Sequence, residues 1–217
     1  VTFMTTKKKY LKEALAEACG VYSVDGKAAV GKTHTLAIPY ICAGVLKGFL
    51  FRRVDSDDKP KYLANFALDR RSVFFNYPEQ GSSVIAVVEG EMDALTATAA
   101  GIPGVVAIGG SEIAGERKHQ VEVALASGTR SIILCPDLDS TTAEDGAAVP
   151  DHAKRLKAVM HSVHTIKDID IEFDSIYVTV FDEPTDPDEF IRKRGGDAFI
   201  KLLRDALPWW EYVYKVK

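Results

Sequence analysis

VIAVVEGEMD (residues 84–93) decides how the chain is read. Its first five residues, Val84, Ile85, Ala86, Val87 and Val88, are apolar without interruption, as expected of a strand covered on both faces. An acidic turn, Glu89-Gly90-Glu91, then opens a segment of helical character that runs to residue 100 and stops at Gly101. The same unit recurs downstream. Apolar runs at 105–108, 131–135 and 176–180 predict three more strands, and segments 112–126, 151–161, 188–194 and 197–207 predict helices. Strands alternating with helices at this spacing predict an α/β fold, a mostly parallel sheet with helices on both faces.

Upstream the texture differs. Residues 9–19 predict a short helix with Leu11, Ala14, Leu15 and Ala18 on one face. Residues 21–24, 36–42 and 49–54 predict strands, 55–60 a polar turn, and 61–76 a mixed, aromatic-rich stretch. Residues 77–81, YPEQG, read as a linker or domain edge. The expected division is a small mixed α+β subdomain over residues 1–80 and the parallel sheet with its C-terminal helices over 81–217. Charge follows that division. Residues 1–80 carry 13 Lys and Arg against 8 Asp and Glu, a net of +5, whereas residues 81–217 carry 14 against 23, a net of −9. A basic front joined to an acidic rear suits a protein that grips phosphates with one part and cations with the other.

Composition bounds the class. Hydrophobic content of 47% and charged content of 27% are those of an ordinary globular protein. No apolar run approaches the roughly 20 residues that cross a bilayer, so no membrane partner is expected. No apolar core follows the lysines at 7–9, so the start does not read as a signal peptide. Cys19, Cys42 and Cys135 lie far apart and form no C-x-x-C, which points to a reducing, cytoplasmic setting.

GKAAVGKT (residues 26–33) has the complete form of a phosphate-binding P-loop. Such a loop must lead into a helix whose N-terminus faces the anion. Here Thr33, Thr35, Ile38 and Pro39 follow Lys32, a poor helix start, and the front of the chain has no βαβ unit to host the loop. The expectation is that Gly26 and Gly31 occupy turns of an extended or hairpin segment with Lys32 exposed.

In an open parallel sheet, ligands bind beyond the carboxyl ends of the strands. Strand 84–88 is followed by Glu89, Glu91 and Asp93, strand 131–135 by Asp137 and Asp139, and strand 176–180 by Asp182, Glu183, Asp186, Asp188 and Glu189. The second strand instead delivers the tight turn Gly109-Gly110-Ser111. Gathered carboxylates repel unless cations neutralise them, and oxygen ligands with open positions suit Mg²⁺ or Mn²⁺. Strand-end acids also serve as helix caps, a role open to Glu91 and Asp188.

VVEGEMDALTA (87–97), ILCPDLDS (133–140) and TDPDEFIRKRG (185–195) together resemble the three signatures of the Toprim domain as bacterial and phage primases carry it. GGSEI (109–113) resembles the turn that follows the second strand there, and GFLFRRVDSDDKPKYLANF (48–66) resembles the basic subdomain that precedes Toprim in the primase core. The resemblance implies a Toprim, Rossmann-like sheet and a metal-dependent nucleotidyltransferase that synthesises primers. It implies Glu89 as metal ligand or general acid/base, and Asp137, Asp139, Asp186 and Asp188 as metal ligands. It implies Asp93 in support, and Arg53, Lys61 and Arg70 as holders of template or nucleotide phosphates. The implied cofactor is Mg²⁺ or Mn²⁺, and the implied partners are a single-stranded DNA template, ribonucleoside triphosphates and a replicative helicase. The chain departs from the family pattern at residues 140–150, which intervene as a loop insertion before the expected helix, and at Ala64-Asn65, where asparagine would directly follow P-K-Y-L.

Two other readings of the same acids stand beside this one: a Toprim nuclease using water as nucleophile, and a non-catalytic DNA-binding module of a phage or mobile-element replication protein. His161 and His164, three apart without a third ligand, read as a surface pair. Trp209-Trp210 reads as docking for the last segment, or less simply as a base-stacking platform.

Overall fold

The computed structural model describes residues 22–23, 34, 36–54, 59–64, 68–143, 147–171 and 174–216. The P-loop-like stretch 26–33 and the expected helix 9–19 lie outside the described residues.

The front of the chain is a four-stranded antiparallel sheet in the order β1 (Tyr22–Ser23), β2 (Leu36–Cys42), β3 (Val45–Arg52), β4 (Tyr62–Ala64). Leu36 thus already lies in a strand, in keeping with the poor helix propensity after Lys32. β3 begins at Val45, earlier than the expected residue 49, because Ala43 and Gly44 both take positive φ (49° and 72°). That two-residue turn closes a tight hairpin whose twist matches the strands. Among the described residues the front region is β-rich.

The rear is a five-stranded sheet in the order β11 (Leu207–Pro208), β10 (Ser175–Val178), β7 (Ser131–Cys135), β5 (Val84–Val88), β6 (Val105–Ala107). β10, β7, β5 and β6 run parallel, and only the edge strand β11 is antiparallel. Period-two alternation sorts its side chains into two cores. Ala86 and Val88 face α1 (Glu91–Ala99), α4 (Pro187–Arg194) and α5 (Gly196–Arg204), a core shared with Leu36, Ile38 and Tyr40 of the front sheet. Ile85, Val87, Ile132 and Leu134 face α2 (Lys118–Ala126), α3 (His152–Lys167) and α6 (Trp209–Val216). The expected mostly parallel sheet, covered by helices on both faces, is the fold.

Several boundaries differ from expectation. α3 continues to Lys167 because Val159, Val163 and Ile166 extend its buried stripe past residue 161. A single 3₁₀ turn, Gly115–Arg117, precedes α2 in place of helix from residue 112. The insertion at 140–150 contains a ribbon of β8 (Ser140–Thr142) paired with β9 (Ala148–Pro150). The segment read as a linker is docked: Tyr77 is buried, its carbonyl accepts from the Ala43 N–H at 2.9 Å, and its hydroxyl meets Thr129 Oγ1 at 3.0 Å. The chain ends in α6, whose Tyr212 is fully buried, so the last segment does dock, while Trp210 stays exposed. Among the described residues no helix is long and apolar enough to cross a membrane.

Candidate functional site

β5 lies at the centre of the parallel strands, with β6 added on one side and β7 on the other. The order of strands reverses between β5 and β7, which is where a crevice opens at the carboxyl edge of a doubly wound sheet. Glu89 leaves β5 at that point and Asp137 leaves β7 beside it. The Asp137 N–H donates to Glu89 Oε1 at 3.1 Å. A bridge between Leu138 and Thr185 ties the two loops together, with their carbonyls and N–H groups paired at 3.0 Å in both directions. It brings Asp186 against Asp137 and Asp139, and these three acids with Glu189 line a cleft of about 260 Å³.

The acids differ in their surroundings. Burial, followed by the neighbouring Asp139 and Asp93, pushes Glu89 up to about 7, against the pull of its bond from Asp137. Burial, then Glu89, Asp186 and Asp139, pushes Asp137 up to about 8. Asp137 Oδ1 is buried and has no hydrogen-bond partner. Asp139 is exposed and pairs with Lys154 Nζ at 2.5 Å. Asp186 caps α4 by accepting the Glu189 N–H at 2.6 Å, with Pro187 at the first helical position.

Asp93 and Asp188 stand deeper. Asp93 Oδ2 accepts the Gly90 N–H at 3.0 Å, and its Oδ1 accepts the Asp188 N–H at 3.1 Å. A Cβ on Gly90 would meet Asp93 Oδ2 at 2.9 Å, so the turn requires glycine for this carboxylate to fold back. Burial, then Asp137, Asp186 and Asp188, holds Asp93 well above the usual carboxylate range. Asp188, 4% exposed, accepts Thr96 Oγ1 at 2.6 Å and so ties α4 to α1.

The basic residues divide as well. Arg53 and Lys61 lie just beyond the paired ends of β3 and β4, with the Arg53 N–H on the Lys61 carbonyl at 3.0 Å. Arg70 is engaged by Glu91, which is 2% exposed. Two cations escaped the sequence reading. Lys154 and Arg155 both come from α3 and line a cleft with Glu89 and Asp137. Arg155 is 3% exposed, donates from Nη2 to the Thr179 carbonyl at 3.0 Å, and packs over Phe181 and Tyr212. The signal was present: Arg155 sits one turn before Val159, on the apolar stripe of its helix.

Among the described residues no three acidic, histidine or cysteine side chains converge closely enough to enclose a cation by themselves. Mg²⁺ and Mn²⁺ take one or two carboxylates and complete their shells with water and phosphate. A buried Asp137 oxygen without a hydrogen-bond partner, set among carboxylates that raise one another, is chemistry that such an ion fits.

Residues 83–165 match the family model of the Toprim domain. The chain is 25% identical over 177 residues to a DNA primase of Listeria innocua, covering 77% of this chain, and 26% identical over 165 residues to a DNA primase of Enterococcus faecalis, covering 71%. It spans about a quarter of the length of these curated relatives, 25% and 23% respectively. Among solved structures, a DnaG primase catalytic domain bound to single-stranded DNA superposes with a TM-score of 0.71 at 17% identity, covering 99% of this chain and 73% of that one. A primase domain from Pseudomonas aeruginosa gives 0.69 at 19% identity, covering 99% and 75%. At these identities the structural likeness carries the fold. Residues 83–165 are thus similar to the Toprim domain, and the fold of the chain resembles that of bacterial primase catalytic cores.

Proposed function

We propose that the chain is a primase-like, metal-dependent nucleotidyltransferase core that synthesises primers on single-stranded DNA from ribonucleoside triphosphates. In this reading residues 1–80 form a basic subdomain for template and nucleotide, and 81–217 form the Toprim domain with its C-terminal helices. The setting is cytoplasmic, and a replicative helicase is a candidate partner. The observation that carries the proposal is the contact of Glu89 with Asp137 at the reversal of strand order, with a buried oxygen of Asp137 left without a partner.

Glu89, Asp137, Asp139 and Asp186 are the carboxylates that would hold divalent cations, one or two of them to an ion, with water and phosphate completing its shell. When bound, the ion neutralises these acids and draws charge from phosphate oxygens. The 3′-hydroxyl oxygen of one nucleotide forms a bond to the α-phosphorus of the next, the α–β phosphoanhydride bond breaks, and pyrophosphate leaves with the electron pair. Glu89, beside the reacting hydroxyl in this reading, takes its proton. Asp93 and Asp188 position the turn and helix from which Glu89 and Asp186 project. Arg53 and Lys61 hold template phosphates.

The test is incubation of the protein with single-stranded template, labelled ribonucleotides and Mn²⁺. Primers that disappear in Glu89→Gln are the expected product. Cut template would make the protein a nuclease, and binding without either product would make it a DNA-binding module.

A further inference from the structure

The ribbon of β8 and β9 lies in the stretch by which the chain departs from the primase pattern, and its ladder fixes which way each backbone group points. The Asp151 N–H donates to the Asp139 carbonyl and the Ala143 N–H to the Ala147 carbonyl, both at 2.8 Å. Hydrogen-bonded pairs recur at every second residue of an antiparallel ladder, so Thr141 and Val149 form one too. The N–H and C=O groups of Ser140 and Thr142 therefore point out of the ribbon, along the other edge of β8, and both residues are exposed.

Leu138 directs its own groups along that same edge, where Thr185 meets them at 3.0 Å in both directions. A strand continuing antiparallel from Thr185 would bring Glu183 to Ser140. Instead the run is interrupted by Pro184, which has no N–H, and Asp182 and Glu183 are bound by Arg194 at 3.2 and 3.0 Å. The pairing that Thr185 starts goes no further among the described residues. The two edges of the ribbon also differ. The outer edge of β9 carries Pro150, whereas Ser140, Thr141 and Thr142 include none of the prolines or lysines that commonly blunt an edge.

The surroundings select the occupant. An edge that offers N–H and C=O groups in register is complemented by another backbone, whereas a phosphate chain only accepts. Ser140 lines the acidic cleft with Asp137, Asp139, Asp186 and Glu189, and no cation lines it among the described residues. Lysine or arginine side chains on an added strand complement those carboxylates.

We propose that the outer edge of β8 is a strand-addition site for an extended, basic segment of a partner protein. The segment pairs with Ser140 and Thr142 in continuation of Thr185 and sets its cationic side chains against the acidic cleft. The inference depends neither on metal binding nor on nucleotidyl transfer.

The probe is a fluorescein-labelled peptide of alternating lysine and valine, about six residues long, titrated into the full chain in chelator and followed by anisotropy. A second peptide, N-methylated at every residue, keeps the charge and loses the donors. The parent should bind the first at least about tenfold more tightly than the second. Thr142→Pro removes an outward N–H and spares the bonds to β9, so it should weaken the first peptide about tenfold. Ala148→Pro makes the same change on the outer edge of β9 and should bind the peptide as the parent does. The comparison of the two peptides on the parent stands even where a variant fails to fold. No binding by the parent, equal binding of the two peptides, or undiminished binding in Thr142→Pro overturns the proposal. Loss of labelled single-stranded DNA rather than of peptide in Thr142→Pro would give the edge to nucleic acid and overturn it as well.

Discussion

Arg70 holds Glu91 through two nitrogens on one oxygen, Nη2 at 2.6 Å and Nε at 2.9 Å. The pair spans the chain from the segment before the parallel sheet to the first turn of α1. Glu91 stands at the helix N-terminus, where its charge is also favoured by the helix dipole. The resemblance to primases puts Arg70 among the phosphate binders, and the structure gives its guanidinium a buried carboxylate as partner.

Removing one member of such a pair leaves the other charge buried and uncompensated. Arg70→Ala should cost about 3 kcal/mol in urea unfolding with chelator present. Adding Glu91→Gln should restore a large part of that stability, because the orphaned charge is gone. If Arg70→Ala unfolds like the parent yet weakens DNA binding, the arginine serves phosphates and the pair is incidental.

The acids at the strand ends set a pH dependence. Glu89 and Asp137 rise to about 7 and about 8 in the folded protein, whereas unfolded carboxyls titrate near 4. Between about pH 4 and pH 8 the folded state therefore holds protons that the unfolded state has released, and stability falls as pH rises through that window. Asp93, shifted the same way, adds to the slope. Melting in chelator should show a falling Tm across this range, flatter in Asp137→Asn. A parent profile no steeper than that of Asp137→Asn would remove the electrostatic argument for the site.

The same repulsion predicts the response to cations. An ion bound only by the folded protein at 100 times its dissociation constant adds about 2.7 kcal/mol. Millimolar Mn²⁺ should raise the Tm of the parent, most at pH values above the raised carboxyl range. Asp137→Asn should lack the increment and, in chelator at high pH, melt above the parent because one repelling charge is gone. A parent indifferent to Mn²⁺ would mean that these acids do not form a metal site.

How far the sequence could be read depended on range. Strand 84–88 announces itself by an uninterrupted apolar run and strands 105–107, 131–135 and 175–178 by largely apolar ones, because these are local signals, whereas α4, expected from residue 188 with Asp188 as a cap, starts at Pro187 behind the cap Asp186. The strand-end acids follow from chain direction alone. Partnerships did not. Nothing near Arg70 in sequence marks Glu91 as its partner, and nothing near Lys154 marks Asp139, because loops and helix packing bring them together. Nor does the composition of residues 140–150 announce a ribbon: β8 and β9 are three residues each and find their register only by closing on one another. Arg155 was legible in part, as a charge on an apolar helical stripe, but its place behind the carboxylates needed the sheet.

Arg53 and Lys61 carry the last prediction. They lie one residue beyond the paired ends of β3 and β4, joined by the Arg53 N–H on the Lys61 carbonyl. Two cations held side by side at the ends of β3 and β4 can share one phosphate. A template phosphate is the anion that the nucleotidyltransferase reading supplies. Binding of single-stranded DNA should therefore weaken in Arg53→Ala and Lys61→Ala at every sequence tested, since phosphates carry no sequence. Each phosphate left without its cation should reduce the dependence of log affinity on log salt by roughly 0.7. Stability should move the other way: Lys61→Ala, which deletes an exposed charge, should leave the fold as stable as the parent or slightly more so. Fluorescence titrations of labelled oligonucleotide over a salt series give both affinity and slope. A double variant with the parent's affinity and slope would move the template path elsewhere.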